Sequence, residues 1–156
     1  MRIGRRLAVD VGRVRLGIAL CDQEGILASP LDAVTRSAEL SETISSLANL
    51  LETHGVIEVY VGDPLSLSGK ETDSTSDARS VAAELSQSIS IPVRLIDERL
   101  TTVTAATKLR ASGISAKDSK SIIDSASAVE ILESALRIEK RSGVAPGVLV
   151  GDSVGA

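Results

Sequence analysis

Aromatic residues are almost absent from this sequence of 156 residues, which has no Trp, no Phe and one Tyr, Tyr60. The hydrophobic core must therefore be built from aliphatic side chains. Proteins that bind nucleic acid often stack bases on aromatic rings, at about 1–3 kcal/mol per base, and this chain has almost no rings for that purpose. Any affinity for nucleic acid is expected to come from phosphate contacts and to fall steeply with salt.

Cysteine and histidine are equally scarce, with one residue of each type. Cys21 alone excludes an intramolecular disulfide and fits a reducing compartment. It closes an apolar segment, so we interpret it as a core residue. His54 ends an amphipathic segment, and general-base catalysis by histidine is not expected. No apolar run has the length of a transmembrane helix or the form of a signal peptide, so we expect a cytoplasmic protein that does not contact a membrane.

The net charge of −4 averages over an uneven distribution. Residues 1–20 and 99–120 carry an excess of Lys and Arg, whereas residues 22–63 carry an excess of Asp and Glu. The surface is therefore expected to be polarised, which keeps nucleic acid among the possible partners. Ordinary solvated charge explains the same distribution equally well.

Hydrophobic periodicity predicts alternating strands and helices. The predicted strands are 6–11, 15–22, 26–34, 56–62 and 91–97, and the predicted helices are 37–54, 75–88, 102–112 and 119–140. Three antiparallel strands, two parallel strands and helices on both faces make a mixed α/β sheet, an order that is typical of the ribonuclease-H-like fold. We interpret residues 1–140 as one domain and residues 141–156 as a flexible C-terminal tail.

Asp10 lies near the end of an apolar strand, where an isolated carboxylate is costly to bury. Strand alternation places Ala8 and Asp10 on one face, beside the small residues Gly17 and Ala19 of the next strand. Small neighbours leave room for a metal ion or a phosphate, so we predict a functional role for Asp10. A role in ordering the following turn is the alternative.

Two further acids are expected near Asp10. Glu98 follows the predicted fifth strand, at the end of the sheet where open α/β folds bind ligands. Asp124 lies at the edge of the apolar sector of the last helix, although a helix dipole alone would also favour an acid there. The predicted fold brings Asp10, Glu98 and Asp124 toward one sheet edge. Whether Asp63 or Asp97 joins them stays open.

Converging carboxylates repel one another unless they share a cation. Oxygen ligands without His or Cys suit Mg²⁺ or Mn²⁺. Two such ions about 3.5–4 Å apart can activate water and stabilise the leaving oxygen in phosphodiester cleavage. We therefore predict that the three acids hold two ions and are the catalytic residues of a nuclease. Basic residues near these acids are predicted to contact phosphates: Arg13, Arg15, Lys70, Arg79, Arg99, Lys117 and Lys120.

Four segments resemble the ordered motifs of the YqgF family, and the resemblance covers roughly residues 5–137. They are VDVGRVRLGIA, VGDPLSLSGK, DERLTT and IIDSASAVEILESAL. The resemblance implies a ribonuclease-H-like fold and places Asp10, Glu98 and Asp124 on the family's acidic positions. It also implies a nuclease that matures the 5′ end of pre-16S rRNA, with the small-subunit precursor as its partner. We expect a monomer or a weak homodimer.

Three alternatives remain at this point. The same acids suit a Holliday-junction resolvase acting on branched DNA, or they could belong to an RNA-binding module that does not cleave. The first hairpin also resembles the phosphate-binding hairpin of the actin and sugar-kinase superfamily, which would predict ATP binding. Two positions depart from the YqgF pattern: Asp63 stands where Leu is usual, and Lys120 is followed by Ser121 rather than by a second lysine.

Overall fold

The computed structural model describes residues 1–100 and 124–151. The described elements are β1 (Arg5–Val11), β2 (Arg15–Cys21), β3 (Ala28–Thr35), α1 (Leu40–His54), β4 (Val56–Asp63), α2 (Asp73–Ser88), β5 (Val93–Asp97), a 3-10 helix (Glu98–Leu100), α3 (Ala126–Ser142) and β6 (Val148–Leu149). None of the helices in these two ranges is long and apolar enough to cross a membrane. The predicted helix 102–112 and the predicted start of the last helix lie outside the described residues.

The strands form one mixed sheet in the order β3-β2-β1-β4-β5-β6. The first three strands are antiparallel neighbours, and β1, β4 and β5 run parallel to one another. This arrangement confirms the predicted mixed sheet. The short strand β6 pairs antiparallel with β5 and was not predicted, because two residues carry no alternation pattern.

Helices cover both faces of the sheet, as the sequence predicts. Leu7 and Val9 of β1 face α1 and α2, where Leu47 and Leu85 are fully buried in the same cluster. Ala8 faces α3 on the opposite side, within a second cluster. The alternation along β1 therefore holds, and it places Asp10 on the α3 face of the sheet.

Several element boundaries differ from the predicted ones. Helix α2 begins two residues early, at Asp73, because Thr72 and Thr75 form a capping box that satisfies its first backbone groups. Strand β3 begins at Ala28, since Ile26 and Leu27 belong to the preceding turn. The last helix continues to Ser142, and Val148–Leu149 form β6, so part of the segment interpreted as a tail belongs to the described fold.

Candidate active site

Asp10 lies at the end of β1 and is opposite Gly17 of β2. It shares the α3 face of the sheet with Ala8, which is fully buried two residues earlier. Burial raises the pKa of the Asp10 carboxyl above its ordinary value. The carboxylate therefore has a physical reason to bind a cation, which would favour its charged form.

Glu98 lies on the same face, directly above β4. A Cβ added to Gly62 would be 2.9 Å from the Glu98 carboxyl carbon and 2.6 Å from Ile131 Cδ1, so a larger residue would displace these side chains. Ala8 pairs with Tyr60, and both Asp10 and Gly62 lie two residues beyond that pair. Glu98, which lies over Gly62 of β4, is thus close to Asp10 of the adjacent strand β1.

The charge state of Glu98 reflects this crowding. Burial, followed by the negative charges of Asp10, Asp63 and Asp97, raises the pKa of Glu98 to about 7. Two carboxylates that disfavour each other's ionisation on one face of the sheet form the centre of the predicted site. The structure brings these two predicted acids together.

Asp124 approaches the same region from the N-terminal end of α3. A Cβ on Gly17 would collide with the backbone oxygen of Asp124, so this glycine lets the helix end lie against β2. The Ser125 hydroxyl accepts a hydrogen bond from the Ile18 amide at 2.9 Å and donates one to the Leu31 carbonyl at 2.8 Å. These contacts fix where Asp124 lies.

The small residue at position 17 therefore has a different purpose from the one expected. The strand pattern predicts room for a metal ion or a phosphate beside Gly17, whereas the backbone of Asp124 and Ser125 occupies that space. Ser125 was missed entirely. Its signal was the glycine inside a strand, because such a glycine often marks a close backbone approach.

Asp124 is engaged by a predicted phosphate-binding residue. Arg15 Nε donates a hydrogen bond to Asp124 Oδ2 at 2.7 Å. Both residues line a cleft of about 220 Å³, together with Asp10 and Arg13. The cleft thus carries two of the three predicted acids and two of the predicted phosphate contacts.

Asp63 and Asp97 lie side by side in the register of β4 and β5, and each is held by an arginine. Arg79 of α2 binds Asp63 through Nε and Nη2, both at 2.9 Å. Arg99 donates to Asp97, and this hydrogen bond lowers the pKa of the Asp97 carboxyl. Asp63 is therefore the partner of Arg79, in addition to the negative charge that it adds near Glu98.

The donor set suits a hard divalent cation, since every candidate ligand is a carboxylate. Among the described residues, however, no three His, Cys, Asp or Glu side chains form a group that could hold a metal ion. Asp10 and Glu98 are neighbours, but Asp124 is bound to Arg15. The carboxylates of Asp10 and Glu98 would suit one hard cation.

The predicted basic residues surround these acids unequally. Arg13 lines the cleft beside Asp10 and also a neighbouring one of about 660 Å³. Arg15, Arg79 and Arg99 are engaged with acids, and Lys70 lies in the loop after β4. Lys117 and Lys120 lie outside the described residues.

Arg36 is a structural link that sequence analysis missed. Its Nη1 donates to the Gly12 carbonyl at 3.0 Å and to Asp77 Oδ2 at 2.7 Å. It thereby ties the β1–β2 turn, which carries Arg13, to helix α2. Nothing local in the sequence marked it, because both partners are distant along the chain.

The chain is similar to proteins of a known family. Residues 4–138 match a family model described as "RuvX: Holliday junction resolvase". A protein of Streptomyces avermitilis is 49% identical over 148 residues, covering 94% of each chain, and one of Leifsonia xyli is 43% identical over 155 residues, covering 99% of each. Both are named "Putative pre-16S rRNA nuclease".

Two solved structures of RuvC from Thermus thermophilus share the fold. The one in complex with a Holliday junction substrate superposes with a TM-score of 0.65 at 16% identity, and covers 94% of this chain and 99% of that one. A second RuvC structure gives 0.57 at 17% identity, with the same coverage. RuvC has a ribonuclease-H-like fold, so the predicted fold class is confirmed.

Proposed function

Because the chain belongs to the family described as RuvX, Holliday junction resolvase, we propose that it is a divalent-metal-dependent nuclease that hydrolyses phosphodiester bonds. The observation that carries the proposal is the pair Asp10 and Glu98 on one face of the sheet. Their negative charges are close enough for Asp10 to raise the pKa of Glu98. Such a pair is suited to binding hard cations beside a phosphate.

The proposed substrate is the 5′ end of pre-16S rRNA, within the small-subunit precursor. The names of relatives that are 43–49% identical over nearly the whole chain support this choice. The single cysteine, Cys21, is buried and free, which fits the reducing cytoplasm. We propose that the enzyme acts there as a monomer or a weak homodimer.

The proposed cofactor is Mg²⁺ or Mn²⁺, with two ions at full occupancy. Asp10 and Glu98 would hold the metal, and Asp124 would join them after release from Arg15. When bound, such ions activate water and stabilise the leaving oxygen of a phosphodiester. This assignment rests on the carboxylate donors and on their mutual repulsion.

The remaining residues of the site bind and orient the substrate. Arg13 and Arg15 line the cleft that contains Asp10, where each can contact a phosphate oxygen. A phosphate that attracts Arg15 also competes with Asp124 for its guanidinium group. Substrate binding would therefore free Asp124 for the metal, which couples the arrival of the phosphate to completion of the site.

The direct test is cleavage of a 5′-extended 16S rRNA fragment by purified protein with Mg²⁺ or Mn²⁺. We expect Asp10→Asn, Glu98→Gln and Asp124→Asn to abolish cleavage while the circular dichroism spectrum stays unchanged. Glu52→Gln, an exposed position on α1, is the matched control and should cleave normally. Wild-type cleavage by Asp10→Asn would exclude the shared metal site.

Branched DNA is the second candidate substrate, because the matching family model carries the description Holliday junction resolvase. A four-way DNA junction and the rRNA fragment, compared at equal ionic strength, separate the two activities. Mapping of the 16S rRNA 5′ ends in depleted cells then identifies the substrate in the cell. Binding of RNA without metal-dependent cleavage would instead identify a non-catalytic module.

A further inference from the structure

Three aliphatic side chains are exposed on the segments that follow β1, β4 and β5, the three parallel strands. Leu67 in the loop after β4 is 94% exposed, Val14 in the β1–β2 turn is 62% exposed, and Leu100 after β5 is 59% exposed. Tyr60, the only aromatic residue of the chain, is fully buried. Contact with the flat face of a base must therefore come from aliphatic side chains or from arginine.

Leu67 is held outward by the hydrogen bonds of a closed turn. The Gly69 amide donates to the Ser66 carbonyl at 2.8 Å, and the Ser66 amide donates to the Lys70 carbonyl at 3.0 Å. Gly69 has a φ of 85°, which favours glycine at this position. The turn thus fixes its backbone on both sides of Leu67, and the side chain is presented to solvent at the tip.

The loop that carries this turn is anchored on both sides. Thr75 of α2 donates a hydrogen bond to the Pro64 carbonyl, and Arg79 binds both Asp63 and Glu71. These contacts tie the start and the end of the loop to the same helix. The position of Leu67 is therefore set by the fold rather than by the loop alone.

The turn also lies beside the Arg99 side chain. A Cβ on Gly69 would be 3.1 Å from Nη1 of Arg99, the residue that follows Glu98. Leu67 is two residues from Gly69, so their Cα atoms are at most about 7.6 Å apart. An exposed leucine, Arg99 and Lys70 thus flank the end of β5, where Glu98 begins the 3-10 helix.

We propose that Leu67 is a base-contacting residue that packs against the face of a nucleobase next to the cleaved phosphate, and that it separates this base from its neighbour. Apolar side chains such as Leu are known to insert between bases and unstack them. Lys70 and Arg99 contact the flanking phosphates. The inference rests on the proposed nuclease function, and it adds a specificity determinant to the metal site.

The experiment uses the full chain, without metal, and a duplex RNA with a single-stranded 5′ extension. A 2-aminopurine at the first unpaired position reports unstacking as a rise in fluorescence. We expect wild-type protein to raise the fluorescence, and Leu67→Ser to abolish the rise and weaken binding about tenfold. Leu67→Phe should restore both, since an aromatic ring also packs on a base.

Leu27→Ser is the matched control. Leu27 is 63% exposed in the turn after β2, and the seven residues of β2 separate it from the Asp10 end by about 20 Å. The Leu27→Ser variant should bind the RNA and unstack the reporter base as the wild type does. The dependence of log Kd on log salt should be the same for Leu67→Ser and the wild type, because no phosphate contact is removed.

Two results would overturn the proposal. One is unchanged fluorescence and affinity in Leu67→Ser. The other is a defect of Leu67→Ser that appears only with small-subunit precursor particles and not with naked RNA, which would make Leu67 a protein contact. Metal-dependent cleavage is scored separately: a wild type that unstacks the base but never cleaves would contradict the nuclease function and leave the base contact standing.

Discussion

Arg15 Nε donates a hydrogen bond to Asp124 Oδ2 at 2.7 Å, and this ion pair joins β2 to the beginning of α3. The two residues have competing proposed partners, since Arg15 is assigned to a phosphate and Asp124 to a metal ion. The ion pair is about one-third exposed on both sides, so water screens it and its exchange for a phosphate costs little. In the proposed function, this exchange would release the carboxylate of Asp124 when a phosphate binds Arg15.

Replacing Arg15 by Gln should uncouple metal binding from substrate binding. We expect tighter Mn²⁺ binding to the free protein, because Asp124 loses its competing cation, together with weaker binding of RNA. Calorimetric titration with Mn²⁺ measures the first effect and RNA titration measures the second. Arg13→Gln, in the turn that precedes β2, should weaken RNA binding alone. Equal Mn²⁺ affinities of Arg15→Gln and the wild type would show that Asp124 does not bind metal.

Glu98→Gln should stabilise the metal-free protein at alkaline pH. The pKa of Glu98 is about 7 in the fold and 4.5 as its ordinary value, so ionised Glu98 costs folding free energy above pH 7. That cost is up to about 3 kcal/mol, and it disappears at about pH 4, where Glu98 is protonated in both states.

Thermal unfolding in EDTA at about pH 8 and about pH 4 checks this prediction. The melting temperature of Glu98→Gln should exceed that of the wild type only at the higher pH. Added Mn²⁺ should raise the melting temperature of the wild type more than that of the variant. Glu52→Gln controls for the loss of an exposed carboxylate. If the melting temperature of Glu98→Gln exceeded that of the wild type by the same amount at both pH values, the charge of Glu98 would not be the cause.

Asp63→Leu should destabilise the protein, although it restores the residue that is usual in the YqgF family. Asp63 is buried and accepts two hydrogen bonds from Arg79, so its removal leaves that guanidinium without its main partner. A loss of about 1–3 kcal/mol in the free energy of unfolding is expected from urea denaturation. The double variant Asp63→Leu/Arg79→Leu should recover part of it. If Asp63→Leu alone were as stable as the wild type, the Asp63–Arg79 pair would contribute nothing to the free energy of unfolding.

Glu139→Gln should weaken the fold in a manner that depends on pH. Glu139 is buried at the opposite end of the sheet and accepts a hydrogen bond from Arg6 at 2.7 Å. Burial alone would raise the pKa of Glu139, but the hydrogen bonds from Arg2 and the charges of Arg6 and Arg2 hold it below its ordinary 4.5. Glu139 therefore stabilises the fold above pH 4.5, and this contribution is lost as the pH falls through its lowered pKa.

The variant should lose about 3 kcal/mol of stability at neutral pH, because it leaves buried arginine charge without its carboxylate. The difference in unfolding free energy between Glu139→Gln and the wild type should shrink in acid, where wild-type Glu139 takes up a proton. Urea denaturation at several pH values measures this difference. A difference that stays constant down to strongly acidic pH would argue against the ion pair as its cause.

Local pattern was enough to predict strands β1 to β5 and the place of the first two acids. The alternation of Leu7, Ala8 and Val9 determines which side of β1 faces which helix layer, since successive strand residues point to opposite faces. It therefore also places Asp10. Glu98 follows from its position after a parallel strand, because such strand ends meet at one edge of the sheet.

The contacts of the charged residues could not be predicted in the same way. Arg15 and Arg79 were both predicted to contact phosphates, but the fold pairs them with Asp124 and Asp63. No spacing rule connects residues that lie on different elements. Ser125 was missed for the same reason, since its two partners belong to β2 and β3.

The sequence by itself determined the type of sheet, the aliphatic core and the acidic character of the site, because these depend on periodicity and composition. Only the tertiary structure decided that Gly17 admits the backbone of Asp124, that Gly62 admits Glu98, and that the turn with Gly69 presents Leu67. The physical reason is the distance along the chain between the residues that interact. Burial patterns repeat within a few residues, whereas close approach and ion pairing depend on segments that meet only after the chain has folded.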